Sequence, residues 1–403
     1  MTADAPVAAA IDPASLKASW SYPTTILFGP GRIRNLARAC AAAGIARPLL
    51  VTDPGLAALP AVQDAVAANE AEGLATAVFA EVKGNPVGQN VEDGVAAFRA
   101  GGHDGVIAFG GGSALDAGKA IAFAAAQDAP IWEFEDRGDL WKKANAEAIA
   151  PVIAVPTTAG TGSEVGRASV ILDERDGVKK VIFHPRMLPV TVISDPELTV
   201  GLPAHITAAT GMDALAHCLE AYCAPAFHPM SEGIAVEGLR LIREWLPRAV
   251  EDGADVAARA HMLVAASMGS VAFQKGLGAI HAMSHPVGAA YDTHHGLTNA
   301  CVMPYVLAFN RPAIEGKMQR LAAWLELPGA DEDGLRAVLD WTLELRRRFG
   351  VPHTLAEMGV EEARLPELVA AAAVDPTAGG NPVALNTDNL AELFDNAMAG
   401  RLP

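Results

Sequence analysis

At 403 residues the chain is longer than a single hydrophobic core usually grows, so two domains are the first expectation. Half of it is apolar (51%) and only 19% is charged, which excludes wholesale disorder. The formal net charge of −17, from 30 basic and 47 acidic residues, is repelled by nucleic acid and anionic lipid surfaces and argues against either as a partner.

Met1–Ala10 carries Asp4 and no basic residue, so it lacks the charged head of a signal peptide. The Ala-rich stretch Ala117–Ala126 contains Lys119 and falls far short of the roughly 20 apolar residues a membrane helix needs. Cys40, Cys218, Cys223 and Cys301 follow no disulfide-like rhythm, which suits a reducing cytoplasm, the expected location. Cys218 and Cys223 diverge on a helix, so they read as apolar filler rather than a zinc clamp.

From Ser21 to about Asp195, short β-branched runs alternate with Ala-rich helical stretches. Strands are expected at 47–53, 105–110, 152–156 and 190–195, with a helix following the second of these through Ala126. Strand, crossover helix, strand is the rhythm of a parallel doubly wound sheet, with ligands at the strands' carboxyl ends. After Pro196 helical periodicity takes over and convincing strand signals stop. The expected division is an α/β domain over 1–198 and an all-helical domain over 199–403, with the site in the cleft between them.

Gly110-Gly111-Gly112-Ser113 directly follows a strand and opens a helix, where backbone N–H groups and the helix N-terminus favour a pyrophosphate. The match to G-x-G-x-x-G is imperfect, and a tight turn without ligand is the alternative. A second loop, Pro156 to Glu164, is rich in Thr and Gly and also follows a strand. Asp53 ends another strand, where a carboxylate binds ribose hydroxyls and repels a 2′-phosphate, favouring NAD over NADP. Its place, 57 residues before the glycine run, is not the standard dinucleotide spacing.

In the helical half Asp213 and His217 stand four apart, as do His281 and His285, and His294 and His295 follow closely. Four of the chain's eleven histidines thus fall within fifteen residues. One carboxylate and three imidazoles suit Fe²⁺ or Zn²⁺ with an open position for a substrate oxygen. Such a metal eases alkoxide formation and polarises a carbonyl for hydride attack, while a spare histidine carries the proton. Buried core histidines are the competing reading.

These residues, with Phe28-Gly29-Pro30-Gly31 and the run from Ser194-Asp195-Pro196-Glu197 to Thr210-Gly211-Met212-Asp213, give a sequence that resembles the iron-containing (group III) alcohol dehydrogenases over nearly its whole length. The resemblance implies a Rossmann-like N-terminal domain and a helical C-terminal domain, the dehydroquinate synthase-like arrangement, in a homodimer or higher oligomer. It implies metal ligands Asp213, His217, His281 and His295, with His285 as proton relay. The dinucleotide contacts would be Asp53, Asn85, Gly111, Gly112, Ser113, Thr157, Thr158, Thr161 and Lys179, and Asp116 would sit one turn into the pyrophosphate helix. His294 stands where many relatives have proline, so the choice of His295 rests on spacing. Gly118 replaces a small residue and is expected only to loosen packing, and Phe273 is a candidate wall of the substrate pocket.

The implied activity is hydride transfer between NAD(H) and a small alcohol or aldehyde, with Fe²⁺, or Zn²⁺ on the same ligands. A dehydroquinate synthase-like enzyme would need more basic residues than the apolar surroundings Met283, Val287 and Ala289 offer. A maleylacetate reductase-like enzyme would lack the ligand set, and an inactive nucleotide-binding protein is the non-enzymatic alternative. The alcohol itself is left open.

Overall fold

The computed structural model describes residues 21–22 and 24–402; Pro23 and the N-terminal stretch read above for a signal peptide lie outside the described residues. Eight strands precede residue 195: β1 (Thr25–Phe28), β2 (Pro48–Val51), β3 (Ala77–Phe79), β4 (Gly105–Gly110), β5 (Val152–Pro156), β6 (Ala168–Asp173), β7 (Val178–Phe183) and β8 (Thr191–Ser194). Interleaved with them are α1 (Leu36–Ala42), α2 (Pro54–Ala57), α3 (Pro60–Ala71), α4 (Gly88–Ala100) and α5 (Gly112–Ala124). Six strands form one sheet in the order β1-β8-β5-β4-β2-β3, every neighbouring pair parallel.

Both faces of this sheet are covered, which is why its strands read as unbroken apolar runs. Leu49, Val51, Val106, Ala108 and Val152 pack on one side with α5 and Phe123. Leu50, Ile107, Phe109, Ile153 and Val155 pack on the other against Leu36 and Val62. The chain runs outward from β2 to β3, and from β4 onward in the opposite direction. The order therefore reverses between β2 and β4, and a crevice opens at their carboxyl ends.

Gly118 corrects the reading of a loosened contact. A Cβ there would lie 2.6 Å from the Cβ of Ala108 on β4 and 3.2 Å from its Cα. The glycine draws α5 closer to the sheet than alanine allows.

The hairpin of β6 and β7 was not among the expected strands. It is antiparallel and separate from the main sheet, with residues of β6 buried alternately. Its turn holds Asp176-Gly177, with Gly177 at φ +70°, a hairpin signal that was present in the sequence.

Nine helices follow among the described residues: α6 (Ala204–Cys223), α7 (Pro229–Glu251), α8 (Val256–Ala272), α9 (Ala279–Tyr291), α10 (His295–Phe309), α11 (Arg311–Trp324), α12 (Gly334–Phe349), α13 (Leu365–Ala373) and α14 (Thr387–Ala399). α6 is buried on every face from Thr207 to Cys223 and packs against α7, α8 and α10. Cys218 and Cys223 belong to this core as free thiols, as the apolar-filler reading expected. Val256–Lys275 has the length and hydropathy of a membrane span, a stretch the sequence reading passed over; more than half of it is buried, with α8 lying against α6 and α7.

Candidate active site

A cleft of about 620 Å³ separates the ends of β2 and β4 from the helices that carry the histidines. On the sheet side, Asp53, Gly111, Gly112 and Ser113 line it. Asp53 also caps α2, accepting the N–H of Leu56 at 3.0 Å. Gly110 turns the chain from β4 into α5 at φ +149°, where a Cβ would lie 2.7 Å from that of Ala114. The turn brings the free N–H groups of the first turn of α5 to the cleft, as an anion site requires.

The second loop divides. Thr158 and Thr161 reach the cleft, whereas Thr157 is buried beneath it and donates its N–H to Gly110 O at 3.0 Å. Asp116 lines the cleft, but its carboxylate is engaged elsewhere. It accepts from Ser163 Oγ at 2.5 Å and from the Val170 N–H at 2.9 Å, with Lys119 Nζ 3.4 Å away. It ties α5 to β6 and to the loop. Lys179 donates to Asn85 Oδ1 at 2.9 Å, and Asn85 Nδ2 donates to Asp292 Oδ1 at 2.5 Å. Two expected cofactor contacts are thus joined to a residue from the opposite wall. Asp292 has a left-handed backbone, φ +51°, at the end of α9.

The opposite wall carries the metal-ligand candidates. α6 places Asp213 and His217 one turn apart, α9 places His281, and α10 begins at His295. The donor atoms of these four residues all lie within 4.8 Å of one another. Asp213 Oδ1 is 3.9 Å from His217 Nε2 and 3.6 Å from His295 Nε2. Donors about 2.1 Å from a tetrahedral metal stand about 3.4 Å apart, so these two pairs would close by roughly 0.2–0.5 Å, and no pair of the cluster by more than about 1.4 Å. His294, the alternative to His295, caps α10 and is outside this cluster.

The donor set fits a divalent cation in its protonation as well. Burial pushes His217 down to about 4, despite the opposing charge of Asp213. Burial, reinforced by neighbouring histidines, holds His295 well below the ordinary imidazole range. Both therefore offer lone pairs at neutral pH. His281 differs: burial alone would lower it, but the adjacent Glu220 carboxylate outweighs that and raises it. Asn299 Nδ2 lies 2.8 Å from Asp213 Oδ1, 3.1 Å from His295 Nε2 and 3.2 Å from His281 Nε2. Its own Oδ1 is buried without a hydrogen-bond partner, an orphaned oxygen beside a ready donor cluster.

The family-level match agrees with this geometry. The model of iron-containing alcohol dehydrogenases matches residues 23–196, and that of the family's C-terminal region matches 207–398. The chain belongs to the iron-containing alcohol dehydrogenase family. It is 41% identical to a 4-hydroxybutyrate dehydrogenase of Cupriavidus necator, over 94% of this chain and 99% of the relative. It is 36% identical to an NAD-dependent methanol dehydrogenase of Bacillus methanolicus, over 93% and 98%. Among solved structures, a 1,3-propanediol oxidoreductase superposes with a TM-score of 0.88 at 34% identity, covering 94% of this chain and all of the other (100%). As a member of this family the protein is an oxidoreductase acting on alcohols, and it has the family's architecture of a parallel sheet followed by helices.

His285 is not among the four grouped donors of this alcohol dehydrogenase, though its ring stacks on that of His295, centroids 5.4 Å apart. Its Nδ1 is 2.8 Å from Asp375 Oδ2, and Asp375 Oδ1 accepts from Thr377 Oγ1 at 2.5 Å. Burial would push the Asp375 carboxyl up, but His285 and Thr377 hold it below the usual carboxylate range. His285 lines both the main cleft and a second cavity of about 520 Å³ that Asp375 also borders. Phe273, expected on the pocket wall, is not among the residues lining the cleft and lies against the ring of His217, centroids 5.1 Å apart.

The sequence reading missed Glu220, Asn299, Asp375 and Asp292 as parts of the site. Two of them left a signal. Glu220 continues the Asp213/His217 stripe of α6 by one more turn, and Asn299 lies four residues after His295 on α10.

Proposed function

We propose that this alcohol dehydrogenase moves hydride between NAD(H) and a small alcohol or aldehyde, using a divalent metal, Fe²⁺ in the first instance, held by Asp213, His217, His281 and His295. The observation that carries the reading is the convergence of one carboxylate oxygen and three imidazoles on the wall facing the Gly110–Ser113 turn. Asp53 at the end of β2 supports NAD over NADP, because its charge would repel a 2′-phosphate. The relatives named for methanol and 4-hydroxybutyrate support a short alcohol as substrate.

When bound, the metal supplies a Lewis acid for the substrate oxygen and the nicotinamide supplies or accepts the hydride. The chain's own residues do the rest. The N–H groups at the start of α5 and the hydroxyls of Thr158 and Thr161 hold the dinucleotide in the switch-point crevice. Asp375 engages Nδ1 of His285 and leaves Nε2 to exchange the substrate proton. His285 borders both cavities, so its ring also faces space outside the main cleft.

The test is turnover of a panel of short alcohols, diols and hydroxy acids with NAD⁺ and NADP⁺, on protein stripped by chelator and then reloaded with Fe²⁺ or Zn²⁺. The reading expects activity lost on stripping, regained on reloading and faster with NAD⁺. Full activity in the stripped protein contradicts it.

A further inference from the structure

We propose that Glu220 is a positioning residue for the metal site, fixing His281 through its ring and through the backbone N–H of the preceding Ile280; the inference rests on the metal reading above. Glu220 Oε2 lies 2.5 Å from His281 Nδ1, and its other oxygen accepts the N–H of Ile280 at 2.7 Å. One carboxylate thus grips a ligand's imidazole and the backbone N–H of the residue before that ligand. With the Nδ1 proton donated to Glu220, the lone pair of Nε2 faces the donor cluster, on the side where Asn299 Nδ2 stands 3.2 Å away.

The placement on the helices explains why one side chain does both jobs. Asp213, His217 and Glu220 share a stripe of α6, so that helix offers two donor atoms directly and orients a third through Glu220. Ile280 is the second residue of α9, whose first N–H groups have no partner within the helix. Ala279 donates to Asn381 Oδ1 at 3.1 Å, and Ile280 donates to Glu220. The negative charge sits at the positive end of α9, which favours it in a buried setting where a carboxylate needs its hydrogen bonds. A residue serving only as a helix cap would have no reason to contact the ring as well.

The decisive comparison is wild type against Glu220→Gln and Glu220→Asp. Gln keeps the volume but presents an NH₂ to one of the two N–H donors, and Asp keeps the charge but draws it back by one methylene. Affinity for Co²⁺ is measured by titrating the stripped proteins and following the visible d–d bands; NAD⁺ affinity and the melting temperature of the metal-free proteins are measured alongside. The proposal expects Co²⁺ affinity to fall roughly 10- to 100-fold, with altered band positions, while NAD⁺ affinity is unchanged. Co²⁺ affinity and bands matching wild type in either folded variant overturn it. So does a loss of metal-free stability with no loss of affinity, the signature of a cap alone. If Gln does not fold, Asp decides. Wild type that takes up no stoichiometric Co²⁺ refutes the metal reading, and the role of Glu220 with it.

Discussion

Gly118→Ala turns the close approach of α5 to the sheet into a measurable quantity. The new Cβ would lie 2.6 Å from Ala108 Cβ, 3.2 Å from Ala108 Cα and 3.4 Å from Val106 Cγ1. Carbon atoms prefer 3.5–4.0 Å, so helix and strand must separate by about 1 Å at this point. β4 lies inside the sheet between β2 and β5 and has no free side to yield toward. α5 is held from outside by the bond from the Val170 N–H to Asp116. Alanine gains about 1 kcal/mol in helix propensity over glycine, whereas overpacking costs about 1–3 kcal/mol. With backbone on one side and a tether on the other, the upper part of that range applies, leaving a net loss of about 1–2 kcal/mol. Chemical denaturation followed by circular dichroism should show a lowered midpoint. The start of α5 also forms the turn proposed to hold the pyrophosphate, so on that proposal NAD⁺ affinity should weaken several-fold in the same variant. A variant as stable as wild type, or more so, would refute the packing argument.

Other consequences follow from the same structure. Asp53→Ser keeps a side-chain cap for α2 while removing the charge, so it should relax the preference toward NADP⁺ with little change in stability; Asp53→Ala should also lose about 1 kcal/mol. Steady-state rates with both cofactors check this, and an unchanged preference would show that Asp53 does not read the ribose. Burial raises all four cysteine thiols to about 12, so roughly one in ten thousand is ionised at pH 8. A chromogenic disulfide reagent should therefore find almost no reactive thiol in the native protein and four after unfolding. The Asp375 carboxyl is held below its ordinary range, so its stabilising contact is complete above about pH 4 and disappears as pH falls through the lowered value. The stability gap between wild type and Asp375→Asn should accordingly close in acid, and a gap constant down to pH 2 would deny the contact. His285→Ala should retain stoichiometric metal while the pH dependence of kcat shifts, and metal loss there would make His285 a ligand instead.

How much of this was legible in the sequence depended on the kind of signal each residue carried. β4 and β5 were read at their exact limits because strands covered on both faces leave unbroken apolar runs. β6 and β7 were missed because β6 buries only alternate residues and β7 only Ile182, with Lys179 and Lys180 in the latter strand. β1 and β3 are edge strands of four and three residues, too short to carry a period. The one-turn spacing of Asp213 and His217 pointed to a metal, but the choice of His281 and His295 as their partners came from the family resemblance, since the same spacing also pairs His281 with His285. What joins α6, α9 and α10 could not be anticipated: Glu220 meets His281 across 61 residues, and Asp375 meets His285 across 90. Gly118 was misread because sequence shows a missing side chain but not the strand lying against it.

Metal content of the anaerobically purified wild type and His281→Ala, measured by plasma emission with NAD⁺ binding followed in parallel, tests the central claim most directly. The account predicts about one divalent ion per chain in wild type, its loss in the variant together with turnover, and NAD⁺ affinity retained in both. Undiminished metal in folded His281→Ala would contradict it.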